Sequence, residues 1–202
     1  MDFTELARKL HSLREDRTGR ASGRRMTAME IWTSALDDSE NNIVKILVQI
    51  TDMGRNNWGL FSRLRRSPSE GDIVHIFVNS NLEYHWQEFT VAKELMHCWS
   101  PEASWLSSPE EVKNLATELF GTSMNRRSYV KFPSLSQVGK NDVIAEVAAS
   151  EIMLPSVTID RDNSLGYLDT DSIAFRHNLH PDVAKRICNA TVRVWCRLGH
   201  IS

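Results

Sequence analysis

The chain has 202 residues, and its 24 Lys and Arg nearly balance 26 Asp and Glu, giving a formal net charge of −2. This balance excludes a general electrostatic attraction to nucleic acid or to an anionic membrane surface. The length fits one domain with its own hydrophobic core. We therefore predict a single domain over residues 1–202, with residues 1–36 as a helical extension and residues 170–198 as C-terminal helices.

The sequence also indicates the cellular compartment in which the protein is expected. Its longest strongly apolar segment, Ile43 to Ile50, is too short to cross a bilayer and contains Lys45. The N-terminal segment MDFTELARKL lacks the apolar block of a signal peptide. The three cysteines form no C-x-x-C pair and cannot all be bridged, which favours a reducing compartment. We predict a cytoplasmic protein without a membrane partner.

The first half of the chain mixes helical and strand patterns. Apolar spacing predicts an amphipathic helix over residues 2–14, and the arginine-rich segment after it fits a solvated loop. A second helix is predicted over residues 27–36. Segments rich in β-formers predict strands over residues 43–52 and 73–78. Between these strands, NNWGLFSRL predicts a turn followed by no defined element.

The second half of the chain is predicted to be helical. A helix over residues 87–99 precedes an insertion over residues 98–140, which contains a short helix near residues 109–120. An apolar helix over residues 141–154 ends at Pro155, because proline disfavours helix continuation. Two last helices are separated near His180 and Pro181. The fold class predicted by this order is α+β, a small sheet followed mostly by helices.

Two of the predicted helices carry compact polar stripes. On the first, Lys93, Glu94 and His97 share one side of the helical wheel, opposite an apolar face. On the second, Asp142 and Glu146 align one turn apart on a helix that is otherwise almost wholly apolar. Burying a carboxylate pair is costly unless a cation faces it. The second stripe therefore requires a positive partner.

These motifs, in this order, resemble a known family. FTVAKELMH followed by IAEVAASEIMLP is similar to the ImmA/IrrE-type metallopeptidases, in which an F-T-x-A-H-E-x-x-H helix precedes a helix with an E-x-E-A-[ND]-x-F-A-x-x-L-L-x-P signature. The strand ending in IFVNSN and the segment SIAFRHNLHPDVAKRI extend the likeness over about residues 40–190. The resemblance implies a zincin-like (gluzincin) fold, with a small sheet packed on a helical body around two central motif helices.

The resemblance also implies roles for individual residues. In the family, two histidines and a downstream carboxylate hold zinc, and the glutamate after the first histidine is the general base. Carried over, Glu94 takes the catalytic general-base position. His97, Asp142 and Glu146 take the metal-binding positions.

Lys93 stands where the family has its first histidine. A protonated amine has no lone pair for a metal, so the remaining residues would bind zinc weakly. We predict instead that the ammonium group of Lys93 takes the place of the ion and neutralises Asp142 and Glu146. Zinc stays open as an alternative cofactor, with His85 as a candidate substitute ligand.

Simpler interpretations compete with these assignments. K-E-x-x-H also fits an ordinary solvated helix face, and Asp142 also fits a helix start, where acids are favoured. His177 and His180 form an H-x-x-H pattern, but Pro181 predicts a turn there, so no metal site is expected from this pair.

Three functions remain open at this level. The first is a degenerate metallopeptidase that regulates by binding a protein or peptide, such as a transcriptional repressor, as an added strand. The second is an active zinc endopeptidase that cleaves such a protein. The third is a DNA-associated regulator, which the balanced charge disfavours, using basic residues near the C-terminus: Arg176, Lys185, Arg186 and Arg193.

Overall fold

A computed structural model describes residues 25–55, 57–99, 137–167 and 169–189, together with the single residues 9, 12 and 15. Of residues 137–140 only the helical backbone is described. Within these ranges the chain forms six α-helices and one three-stranded sheet. The predicted α+β class is thus confirmed. The predicted helix over residues 109–120 lies outside the described residues, as do almost all of the insertion and all of the predicted helix over residues 2–14 except residues 9 and 12.

The elements follow one another from a helix through the sheet to a helical half. The strands are β1 (Ile43–Thr51), β2 (Gly59–Leu64) and β3 (Asp72–Asn79). The helices are α1 (Ala28–Asp37), α2 (Tyr84–Met96), α3 (Gln137–Met153), α4 (Ser156–Ser164), α5 (Thr170–Arg176) and α6 (Pro181–Ile187). A short 3-10 turn, His97–Trp99, continues α2.

The sheet is mixed, with strand order β1-β3-β2. β1 runs parallel to β3, and β2 runs antiparallel to it. The central strand buries Val74, Ile76 and Val78 on one face, as alternating side chains of a half-buried strand should. This face packs on α2, so the motif helix lies directly against the sheet.

β2 corrects the sequence prediction of an undefined element. Only Phe61 of this strand is buried, and Arg63 stands among the β-formers, so the segment carries a weak strand pattern. Its register comes from β3, where Phe61 lies opposite Ile76. Pairing with an existing strand supplies the hydrogen bonds that the local sequence does not specify.

α1 begins with a complete capping box. The Thr27 hydroxyl accepts a hydrogen bond from the Glu30 amide at 3.2 Å, and the Glu30 carboxylate accepts one from the Thr27 amide at 2.7 Å. The helix buries Ile31 and Ala35 against α2 and β1. Its bounds agree within one residue with the predicted helix over residues 27–36.

The helical half is longer than predicted. α2 begins three residues early at Tyr84, and α3 begins four residues early at Gln137. Pro155 does end α3, but it also precedes an unpredicted helix, α4. The buried Glu151 carboxylate accepts a hydrogen bond from the Ser156 amide at 3.0 Å and so stabilises the start of that helix.

α5 and α6 are separated at His180 and Pro181, as predicted. Asp169 caps α5 by accepting from the Ser172 amide at 2.7 Å, and His180 is the N-cap of α6. None of the described helices has both the length and the apolarity needed to cross a bilayer.

Candidate functional site

α2 and α3 pack against each other and bring their polar stripes together. The Lys93 ammonium group contacts the Asp142 carboxylate and donates to Glu94 Oε1 at 3.1 Å. His97 Nε2 lies 3.8 Å from Asp142 Oδ1 and 3.9 Å from Glu94 Oε2. These four residues, which we call the Lys93 pocket, place one fixed cation between two acids and beside an imidazole.

The Lys93 pocket is shielded from water. Glu94 is 3% exposed, and the side chains of Lys93 and Asp142 are each 14% exposed. Charges removed from water lose hydration, and they persist only when each has a partner at close range. The contacts within the pocket supply those partners.

The protonation of Lys93 and Asp142 follows from their mutual contact. Burial alone would lower the pKa of Lys93, but the facing carboxylates of Asp142 and Glu94 outweigh it and raise that pKa above its ordinary range. Burial alone would raise the pKa of Asp142, but the ammonium group and His97 hold it well below its ordinary range. Lys93 is therefore a cation and Asp142 an anion at neutral pH.

Glu94 lies against the start of the edge strand β2 because Gly59 has no side chain. A Cβ atom at Gly59 would lie 2.5 Å from Thr90 Cγ2 and 2.8 Å from Glu94 Oε1, both shorter than real Cβ contacts. The absent side chain thus permits α2 to approach the sheet and sets Glu94 beneath β2.

The end of α2 is fixed to the same strand. His97 begins the 3-10 turn, and its ring centroid lies 5.6 Å from that of Phe61 in β2. Arg63 of β2 pairs with Asp72 at 2.7 Å and donates to the Cys98 carbonyl oxygen at 3.2 Å. Both contacts hold the imidazole end of the Lys93 pocket against β2.

Glu146 has a different cation from the one predicted. Its carboxylate accepts from Arg186 Nε of α6 at 2.7 Å, and no contact with Lys93 is found among the described residues. One helical turn moves a side chain by about 5.4 Å along the axis, which is enough to bring Glu146 to another neighbouring helix. The prediction that Lys93 neutralises both acids is therefore corrected, since Asp142 and Glu146 each have their own cation.

The remaining predicted ligands lie elsewhere. His85 is two turns before Lys93 on α2, and its ring stacks on that of His180 rather than reaching toward the pocket. His177 contacts the buried Asp162. The two histidines of the H-x-x-H pattern therefore have different partners and do not converge.

The donor set of the Lys93 pocket does not fit zinc. Catalytic zinc sites present three neutral or anionic protein ligands to the ion, whereas here a protonated amine occupies the first position and binds Asp142. A three-residue group with metal-ligand geometry does occur among the described residues, at His85, His180 and Asp182. Sequence reasoning missed the group because His85 is far in the chain from His180 and Asp182, and the three match no metal-ligand spacing pattern.

Cys98, next to the Lys93 pocket, is a packing residue. It is buried, as the helical wheel predicts, and burial raises the pKa of its thiol to about 12. A nucleophilic cysteine requires the thiolate form at neutral pH, so the thiol adds no nucleophile to this site.

No protein-family model matches the chain, and no curated protein matches it. What the molecule can do is therefore inferred from the arrangement of its own residues.

Proposed function

We propose that this chain is a zincin-like protein, related to the ImmA/IrrE-type metallopeptidases, that acts by binding a protein or peptide and not by zinc catalysis. The observation that carries the proposal is the Lys93 ammonium group, in contact with Asp142 and 3.1 Å from Glu94. It places a covalently attached cation among the residues that correspond to the general base and to the ligands of the metal ion.

The ammonium group also changes what Glu94 can do. A general base in this family acts on a water molecule that the metal ion has acidified. Glu94 instead accepts a hydrogen bond from Lys93 at 3.1 Å, and an ammonium group provides no acidified water. The same side chains therefore form a buried pocket wall in which two acids share the Lys93 cation.

The edge strand β2 supports peptide binding. β2 lies at one side of the described sheet, where it pairs with β3, and extended peptides bind other proteins by adding a strand to the side of a sheet. Gly59, at the start of β2, lies directly over Glu94. A peptide bound along this edge would pass beside the Lys93 pocket. By resemblance, its source is a regulatory protein such as a transcriptional repressor.

Two of the basic residues considered for DNA binding, Arg176 and Arg186, already form contacts within the chain. Arg176 lies 3.2 Å from Asp162 and covers the ring of Tyr167, and Arg186 pairs with Glu146. These guanidinium groups already have partners within the chain. Arg193 lies outside the described residues.

Zinc analysis of the parent and of Lys93→His tests the proposal. The substitution restores H-E-x-x-H beside Asp142, so we expect Lys93→His to hold one more zinc ion per chain than the parent after equilibration with zinc. The additional ion should be lost in Lys93→His/Asp142→Asn. It should be retained in Lys93→His/Glu146→Gln, because Glu146 pairs with Arg186 outside the pocket.

The zinc content and the peptidase activity of the parent chain distinguish a binding regulator from an active enzyme. We expect its zinc content to be unchanged by His97→Ala, and we expect no chelator-sensitive hydrolysis of a mixed peptide library. If the parent holds a zinc ion that His97→Ala removes and cleaves peptides only with that ion bound, the chain is a zinc endopeptidase and the proposal is overturned.

A further inference from the structure

The first turns of α2 and α6 bring two histidines and a carboxylate to one point. The rings of His85 and His180 stack with centroids 3.5 Å apart and planes 6° apart. Asp182 Oδ2 lies 3.9 Å from His85 Nε2 and 3.7 Å from His180 Nδ1. One ligand atom from each residue lies within 4.8 Å of the other two.

We propose that His85, His180 and Asp182 form a binding site for a divalent transition-metal ion of the zinc class, which joins α2 to α6. This site is separate from the Lys93 pocket and does not depend on the proposed function. Two imidazoles and one carboxylate suit zinc and its neighbours. Calcium and magnesium prefer sets made of oxygen atoms.

His85 lies where a carboxylate can orient it as a ligand. Its Nδ1 is 3.6 Å from Glu83 Oε2, and a hydrogen bond formed there would hold the proton on Nδ1 and leave the lone pair on Nε2. Nε2 is buried and has no hydrogen-bond partner among the described residues. A buried polar atom without a partner is costly, and a bound metal ion would provide the missing one.

The three ligand atoms are more widely spaced than those around a coordinated ion. Bonds of about 2.0 to 2.1 Å in a tetrahedral site place the ligand atoms roughly 3.3 Å apart. The distances of 3.7 and 3.9 Å to Asp182 must therefore shorten, and the two imidazole nitrogens, which lie within 4.8 Å of each other, must also approach. The stacked rings must also turn, because the lone pairs of parallel rings lie in parallel planes. His180 has room to turn, since its side chain is 43% exposed.

The site opens toward solvent on one side. Asp182 is 61% exposed, so a water molecule can complete a coordination sphere with three protein ligands. His85, in contrast, is only 13% exposed and forms the inner wall.

The second role of His180 determines the test variant. His180 Nδ1 accepts a hydrogen bond from the Asp182 amide at 3.3 Å and caps α6, so its single lone pair must leave that amide before it can bind a metal ion. Asparagine is among the preferred N-cap residues and is a poor zinc ligand. His180→Asn therefore removes the metal donor and keeps the cap, and His75→Asn, at an exposed histidine of β3, is its matched control.

The experiment titrates the metal-free, full-length chain with Zn²⁺ by calorimetry and with Co²⁺ by visible absorption. We expect one equivalent to bind in the parent. The affinity should fall at least about tenfold in His180→Asn and Asp182→Asn, and about tenfold to a hundredfold in Glu83→Gln, which loses the orienting carboxylate. His75→Asn and His97→Ala should bind as the parent does. Circular dichroism checks that each variant is folded.

Two outcomes would overturn the site. No saturable Zn²⁺ or Co²⁺ binding by the parent would reject it and leave the Lys93 proposal standing. Zn²⁺ binding that is retained in His180→Asn but lost in His97→Ala would assign the ion to the Lys93 pocket. That result would reject both the His85 site and the proposed function.

Discussion

The two ends of α2 carry similar ligand-type side chains under opposite electrostatic conditions. At its C-terminal end, an imidazole and two carboxylates surround the buried Lys93 cation. At its N-terminal end, His85, His180 and Asp182 meet near the surface, and their described ion-pair contacts include no lysine or arginine. In the first cluster, the Lys93 ammonium group supplies the positive charge that the two carboxylates require. In the second, no lysine or arginine supplies a positive charge within the described ion-pair contacts. The presence of a lysine among the acids, and not the ligand types alone, separates the two ends.

The largest expected effect is on stability at the Lys93 end. Lys93→Met leaves Asp142 buried without its cation, and we expect the free energy of unfolding to fall by about 3 to 5 kcal/mol. Urea denaturation measures this change. His180→Asn, at the other end of α2, should cost less than about 1 kcal/mol because it keeps the N-cap.

A double variant separates charge from packing at this end. Lys93→Met/Asp142→Leu removes the charges of Lys93 and Asp142 but leaves Glu94 buried without its cation, so it should recover part of the loss. If Lys93→Met is as stable as His180→Asn, the ion pair does not stabilise the fold and the contrast between the two ends disappears.

The pH dependence of that loss sharpens the comparison. The folded-state pKa of Asp142 is held below its ordinary value of 3.8, so its contribution is present above pH 4 and is lost as the pH falls through the lowered pKa. The folded-state pKa of Lys93 is raised above 10.5, so its contribution is full below that value and is lost as the pH rises through the raised pKa.

We therefore expect the difference in unfolding free energy between parent and Lys93→Met to stay level from about pH 5 to pH 10. It should shrink under acid conditions, as urea denaturation at a series of pH values can measure. A difference that instead grows below pH 4 would contradict the assigned ion pair.

A smaller effect is expected from Gly59→Ala. The added Cβ would meet Thr90 Cγ2 at 2.5 Å and Glu94 Oε1 at 2.8 Å, and such overpacking costs about 1 to 3 kcal/mol. Thermal unfolding measures the loss. Thr90→Ser removes the nearer methyl group, so Gly59→Ala/Thr90→Ser should recover part of it.

Gly59→Ala should leave Zn²⁺ binding by the His85 site unchanged, because the crowding is confined to the other end of α2. Equal stability of Gly59→Ala and the parent would mean that α2 does not depend on close approach to β2. Weakened Zn²⁺ binding would mean that the two ends are coupled.

Much of the Lys93 pocket could be predicted from the chain. The helical spacing of Lys93, Glu94 and His97, and the acid at Asp142 on an apolar helix, indicated a buried ion pair before any coordinates. The partner of Glu146 could not be predicted, because it depends on α6 lying near enough to α3 for Arg186 Nε to come within 2.7 Å of the Glu146 carboxylate. β2 was missed because its segment gains strand structure from its neighbour β3.

The sequence by itself determined the α+β class, the order of most elements and the need for a cation beside Asp142, because periodicity and charge act over a few residues. Only the tertiary structure decided which cation meets which acid, how Gly59 lets Glu94 lie under β2, and that His85 meets His180 and Asp182. Those contacts join distant segments, and their distances are set by how helices pack on each other and on the sheet. Short-range sequence patterns do not encode that packing.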